Sequence, residues 1–145
     1  MNTETLPIDI SDPVEVDLRV RYAETDQMGV VYHTNYLIWC EVARTELIRR
    51  RYLPYSELER RGVILAVSDL SIRYRAPARY EDDIRVSVRV SELRSRTVTF
   101  LYEISRLADG ALELLATATT TLIALGDDKR PRKLPADLIS ALSNG

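Results

Sequence analysis

Apolar and polar residues alternate without a break from Val14 to Tyr22, in "VEVDLRVRY". Val14, Val16, Leu18, Val20 and Tyr22 face one way and Glu15, Asp17, Arg19 and Arg21 the other, which predicts a strand with one buried face. The period then changes. Tyr36, Cys40, Ala43 and Leu47 recur at spacings of four, three and four, and Trp39 and Ile48 widen the stripe. This predicts a well-buried helix from about His33 to Leu53. "RRRY" puts basic charge at its C-terminal end, where the helix dipole favours cations, and Pro54 limits its continuation. A short helical turn, "YSELERRG", stops at Gly62. Everything after that reads as strand: Leu70, Ile72 and Tyr74; Ile84, Val86, Val88 and Val90; Val98, Phe100, Tyr102 and Ile104; and the long "ALELLATATTTLIAL". Asp-Gly within "ADGA" is a strong hairpin signal, and the short "LRSR" links the pair before it.

One strand, one long helix and four strands joined mainly by hairpins describe an α+β fold. Short connections favour an antiparallel sheet with the helix packed on one face. Such a sheet has two edges to protect, which predicts a homodimer or homotetramer paired at least partly through a strand edge. The 145 residues fit one domain over 1–145, with residues 1–13 as a loose arm ending at "SDP". No apolar run approaches the ~18–20 residues of a membrane span. "MNTETLPIDI" has neither the basic region nor the apolar core of a signal peptide, so a cytoplasmic location is expected. The net charge of −2 argues against nucleic acid as a partner. One cysteine, Cys40, and one histidine, His33, leave no internal disulfide and no metal-ligand cluster, and no metal or cofactor is expected. Of the 20 basic residues only Lys129 and Lys133 are lysine. That arginine bias suits phosphate or carboxylate contacts and equally suits genome composition.

The candidate chemistry lies where the first strand gives way to the helix, in "YAETDQMGVVYHTNYLIWCEVAR", Tyr22 to Arg44. The order Asp26, Gly29, Tyr32-His33, Tyr36, Trp39 and Glu41-Val42-Ala43-Arg44 resembles the hotdog-fold acyl-CoA thioesterases of the 4-hydroxybenzoyl-CoA thioesterase and YbgC type. The likeness continues more weakly in "SIRYRAPARYEDDIRVSVRV" and covers about residues 15–135. It implies a hotdog fold, a five-stranded antiparallel sheet wrapped around one long central helix. It also implies hydrolysis of an acyl-CoA or acyl-carrier thioester to the free acid, with coenzyme A as part of the substrate and no separate cofactor. By this resemblance Asp26 corresponds to the catalytic aspartate, as general base or nucleophile, and His33 to the residue whose backbone N–H binds the thioester carbonyl oxygen. The family's nucleotide contacts fall near the hairpin of Arg94, Ser95 and Arg96. "DDKRPRK" is a second basic cluster.

Thioester hydrolysis needs an activated water or a nucleophile at the carbonyl carbon, and donors for the developing oxyanion. A loop carboxylate supplies the first, and unpaired N–H groups in the first turn of a helix supply the second. Gly29 lets the loop turn tightly and a substrate approach the backbone. Plainer readings stand beside these. Asp26 fits an Asx-turn, the His33 side chain a helix start bonded to its loop, and Tyr32 and Tyr36 a substrate wall, with Tyr36 and Trp39 fitting core equally. Glu24 reads as a solvated or a strand-end side chain, Glu41 as an ion-pair partner of an arginine, and Cys40 as inert packing. The rival functions are a hotdog dehydratase or hydratase, in which the His side chain is a second acid-base group, and a non-catalytic acyl-carrier binding module.

Overall fold

A computed structural model describes residues 13–143, so the N-terminal arm expected over 1–13 lies outside the described residues except for Pro13. The elements run β1 (Val14–Arg19), a 3-10 turn (Tyr22–Glu24), α1 (Asn35–Arg51), α2 (Tyr55–Arg60), β2 (Ile64–Tyr74), β3 (Asp83–Leu93), β4 (Thr97–Ala108), β5 (Ala111–Leu125) and α3 (Ala136–Ser143). The sheet order is β1-β3-β4-β5-β2, with every neighbouring pair antiparallel. α1 packs on the inner face against β1, β3 and β4. Among the described residues no helix is long and apolar enough to cross a membrane.

The 3.6-residue stripe read from the sequence is the buried face of α1: Tyr36, Trp39, Cys40, Ala43, Leu47 and Ile48. It meets the inward residues Ile84, Val86 and Val88 of β3 and Val98, Phe100 and Tyr102 of β4. Ala43 is fully buried, and its small side chain suits a close approach of helix and sheet. Burial pushes the Cys40 thiol up to about 12, so it stays a neutral packing group at physiological pH.

Two of the three register shifts in the sheet, those in β2 and β3, keep apolar side chains on the inner face where strict alternation would lose them. In β2 the phase slips between Val67 and Leu70, and the extra residue is Ser68, whose hydroxyl donates to the Thr121 carbonyl at 3.2 Å. In β3 it slips between Val90 and Leu93, and Ser91 donates likewise to the Thr99 carbonyl at 3.3 Å. A one-residue slip turns every later side chain to the other face, so each bulge rescues the pattern of its strand.

The β3–β4 and β4–β5 connections are hairpins, while residues 75–82 carry the chain from β2 at one edge of the sheet to the other side of β4 and β5. The structure corrects two expectations. β1 stops at Arg19, and Tyr22 is 76% exposed rather than inward-facing, because the chain leaves the sheet into the 3-10 turn. The last segment is not strand: α3 buries Leu138 and Leu142 against α1 and β3. Both edges, β1 and β2, are open among the described residues, and the β2 edge strand carries exposed apolar groups at Val67, Leu70 and Tyr74; Ile38 and Val42 are exposed on α1.

The helix-to-sheet contact is the core of this fold. Leu47→Ala, at a fully buried position, is expected to lower unfolding free energy by about 2–5 kcal/mol in a urea titration, through lost transfer energy and a residual cavity.

Candidate active site

The site is assembled where β1 ends. Val20 donates to the Asp82 carbonyl at 3.0 Å, and the chain then turns through Tyr22–Glu24. Glu24 is only 4% exposed, so of its two sequence readings the solvated one does not hold. Its Oε1 accepts from the Arg21 backbone N–H at 2.8 Å. Its Oε2 accepts from the Trp39 indole N–H at 2.8 Å and the Arg21 guanidinium at 3.4 Å. Its own carbonyl accepts from the Tyr32 N–H and from the Asn35 amide, both at 2.9 Å. Burial alone would push the carboxyl upward in pKa; the Arg21 N–H, the Trp39 indole and the Arg21 guanidinium outweigh that and hold it below the usual glutamate range.

Between Glu24 and α1 the loop closes on itself. Asp26 N–H donates to the Val30 carbonyl at 2.8 Å, and Gly29 N–H to the Asp26 carbonyl at 3.0 Å. Gly29 has φ of +80°, a conformation that favours glycine. One carboxylate oxygen of Asp26, Oδ1, accepts from the Met28 N–H at 2.8 Å and the Val30 N–H at 3.3 Å. This is the Asx geometry weighed for this residue, and it aims the carboxylate rather than retiring it: Oδ2 has no hydrogen-bond partner among the described residues. Val31 N–H donates to the Ala78 carbonyl, and Ala78 N–H donates to the Tyr36 hydroxyl, each at 2.9 Å. The 77–82 segment is clamped in turn by Arg106, which reaches the Pro77 carbonyl at 3.2 Å, Asp82 at 2.7 Å and Glu113 at 2.7 Å.

α1 begins at Asn35 without a side-chain cap at Thr34. The backbone N–H groups of His33 and Thr34 meet no acceptor among the described residues. Asp26 lines a depression of about 580 Å³ with Tyr22, Gln27, Tyr32 and Thr34. His33 lines an adjoining one of about 280 Å³ with Val31, Tyr36, Tyr74, Arg75 and Pro77. The Asp26 carboxylate and the His33 imidazole make no hydrogen bond to one another. Tyr36 is buried, its ring packed on Trp39 and Tyr74, and it floors the second depression. Tyr74 and Arg75 were not singled out from the sequence as site residues, and only their place in "RYRAP" hinted at them.

The remaining candidates fall elsewhere. Arg94, Ser95 and Arg96 form the β3–β4 turn. Arg94 is tied to Glu92 at 2.9 Å, the Ser95 carbonyl takes Leu134 N–H at 2.8 Å, and the Arg96 carbonyl takes Ala124 N–H at 2.9 Å. The second basic cluster, residues 127–133, folds back beside that turn, with Arg132 N–H on the Ala124 carbonyl at 2.9 Å. Two clusters far apart in the chain thus share one end of the sheet. Asp26 and His33 share the other, roughly 27 Å away along β5 at about 3.4 Å per residue from Ala116, the partner of Tyr74, to Ala124. Glu41, expected to pair with an arginine, makes no ion pair among the described residues; its neighbour Arg44 donates instead to the Tyr102 hydroxyl at 3.3 Å.

A five-stranded antiparallel sheet around a central helix is the architecture of the hotdog fold. Residues 20–142 match the thioesterase-like superfamily, and the chain belongs to it as a thioester hydrolase. It is 41% identical to YneP of Bacillus subtilis strain 168 over 103 residues, 71% of this chain and 74% of that one. To the acyl-CoA thioester hydrolase YbgC of Escherichia coli O157:H7 it is 30% identical over 124 residues, 85% and 90% of the two chains. The crystal structure of a DHNA-CoA thioesterase from Staphylococcus aureus superposes with a TM-score of 0.85 at 33% identity, covering 91% of this chain and 89% of that one.

The buried Glu24 makes the loop acid-sensitive. Its pKa is depressed in the fold, so its stabilisation is fully present above the ordinary value of 4.5 and is lost as pH falls through the lowered one. Glu24→Gln is expected to cost about 1–3 kcal/mol at pH 7. Chemical denaturation across pH should show that difference shrinking below pH 4.5, the ordinary glutamate value.

Proposed function

We propose that this chain hydrolyses acyl-CoA thioesters to free acid and coenzyme A, with Asp26 as general base or nucleophile and the His33 backbone N–H as oxyanion donor. The observation that carries this reading is one loop holding both parts. Asp26 has one oxygen fixed by two backbone N–H groups and the other unengaged, and seven residues on, the His33 N–H stands unpaired at the start of a 17-residue helix. The helix dipole adds positive potential where the carbonyl oxygen would gain charge. YbgC, named as an acyl-CoA thioester hydrolase, supports coenzyme A as the carrier. The dehydratase reading needs the His33 imidazole as a second acid-base group, and its lack of a bond to Asp26 favours hydrolysis.

The working unit is a homodimer joined through the β2 edges, with each site between subunits. The exposed apolar side chains of Val67, Leu70 and Tyr74 on that open edge strand support this. Antiparallel pairing of two β2 strands about a twofold axis sets one subunit's Arg94–Arg96 turn and its 127–133 cluster at the same end as the partner's Asp26 loop. Within one chain the two are at opposite ends. Cations from one subunit would then meet coenzyme A phosphates while the other holds the thioester carbonyl.

Asp26→Asn keeps an oxygen for the Met28 and Val30 N–H groups, so the loop should hold. With thiol release as readout, kcat is expected to fall about 10²–10⁴-fold with little change in KM. Full activity in the folded variant would end this mechanism. Light scattering at micromolar concentration should give at least twice the 16.6 kDa of one chain, and a monomer mass would remove the shared site.

A further inference from the structure

Tyr74 is the last residue of β2, yet its hydroxyl leaves the strand to donate to the carbonyl oxygen of His33 at 2.7 Å. Its ring stands edge-on to the His33 imidazole, with centroids 6.3 Å apart at 88°, and edge-on to Tyr36 at 5.1 Å and 87°. Burial and the neighbouring Tyr36 push its pKa upward, so it is a protonated donor at neutral pH.

The bond matters because of what the loop lacks. The peptide carrying the His33 N–H has its carbonyl, that of Tyr32, held by the Asn35 N–H at 2.9 Å. The next peptide has the His33 carbonyl, and inside the loop only the Tyr36 N–H approaches it, at 3.4 Å. The peptide group is planar, so holding the His33 oxygen sets the direction of the Thr34 N–H on the same peptide. Among the described residues Tyr74 is the one short contact on that peptide, and it comes from outside the loop.

We infer that Tyr74 is a positioning residue whose hydroxyl locks the His33–Thr34 peptide and thereby aims the Thr34 N–H, the second unpaired donor at the helix start, at the reacting carbonyl oxygen. The inference rests on the thioesterase reading above. It differs from a wall role, which Tyr74 would also have by lining the depression beside His33. A wall senses the acyl group; a lock on the oxyanion donor acts on every thioester alike.

His33 is the only histidine of the chain, so incorporating histidine labelled with ¹³C at its carbonyl gives one resonance reporting this hydrogen bond. In Tyr74→Phe that resonance should move while the thermal midpoint stays within about two degrees. Across acetyl-, long-chain- and benzoyl-CoA, kcat should fall about tenfold for each, the worth of one neutral hydrogen bond, with KM within about twofold. An unmoved carbonyl resonance overturns the lock. So does an unchanged kcat, or a loss carried by KM and differing among acyl groups. An unmodified chain that cleaves none of the thioesters overturns the functional reading, and this inference with it, whereas an active chain insensitive to the substitution overturns the inference alone.

Discussion

The buried carboxylate of Glu24 is the constraint on which the site depends. Removing a carboxylate from water costs several kcal/mol unless every oxygen is engaged, and here Arg21 and the Trp39 indole engage both. Satisfying that charge fixes where the chain leaves β1, where α1 starts and how far apart they stand. The Glu24 carbonyl adds two further bonds to the far end of the same loop. Asp26 and His33 need no contact with each other, because each is referred to this one anchor.

The second support comes from the sheet. Arg106 holds the 77–82 segment, and that segment pairs with the loop at Val31 and Val30. Tyr36 reaches the same segment from the helix. The loop is thus braced from strand, helix and crossover at once, which holds Asp26 and the helix start at a defined separation. Rigid support of this kind is what lets a few dipoles act on a transition state.

The β2 edge connects this local order to assembly. The Ser68 bulge restores the inward phase, so that Leu70, Ile72 and Tyr74 return to the inner face. Without it, Tyr74 would face outward, far from the His33 carbonyl. The same strand carries exposed apolar groups and an open row of backbone groups, so this open edge also delivers a hydroxyl to the loop of Asp26 and His33. Under the proposed pairing, association and the geometry of the helix start share one element.

Much of this was legible in the sequence. The 3.6-residue stripe of α1, the alternation of β1 as far as Arg19 and of β3 and β4, and the hairpin turns depend on local periodicity and local turn chemistry, and they lie where the periodicity put them, whereas the Asp26-to-Arg44 motif was read from a family resemblance. What alternation misread were the places where a long-range contact overrides the local pattern: Tyr22 turned out to solvent and α3 recruited to cover the core. Glu24 looked like any charged residue at a strand end, because its partner Trp39 lies fifteen residues away and only the folded chain brings an indole N–H to its carboxylate. Tyr74 looked like a plain strand residue for the same reason, its acceptor being 41 residues distant. The sequence by itself determined the central helix, the inner strands and the turns between them, since these are set by neighbours a few residues apart. The tertiary structure alone decided which groups hold that loop still and which end of the sheet the arginines occupy, since these depend on residues that only folding brings together.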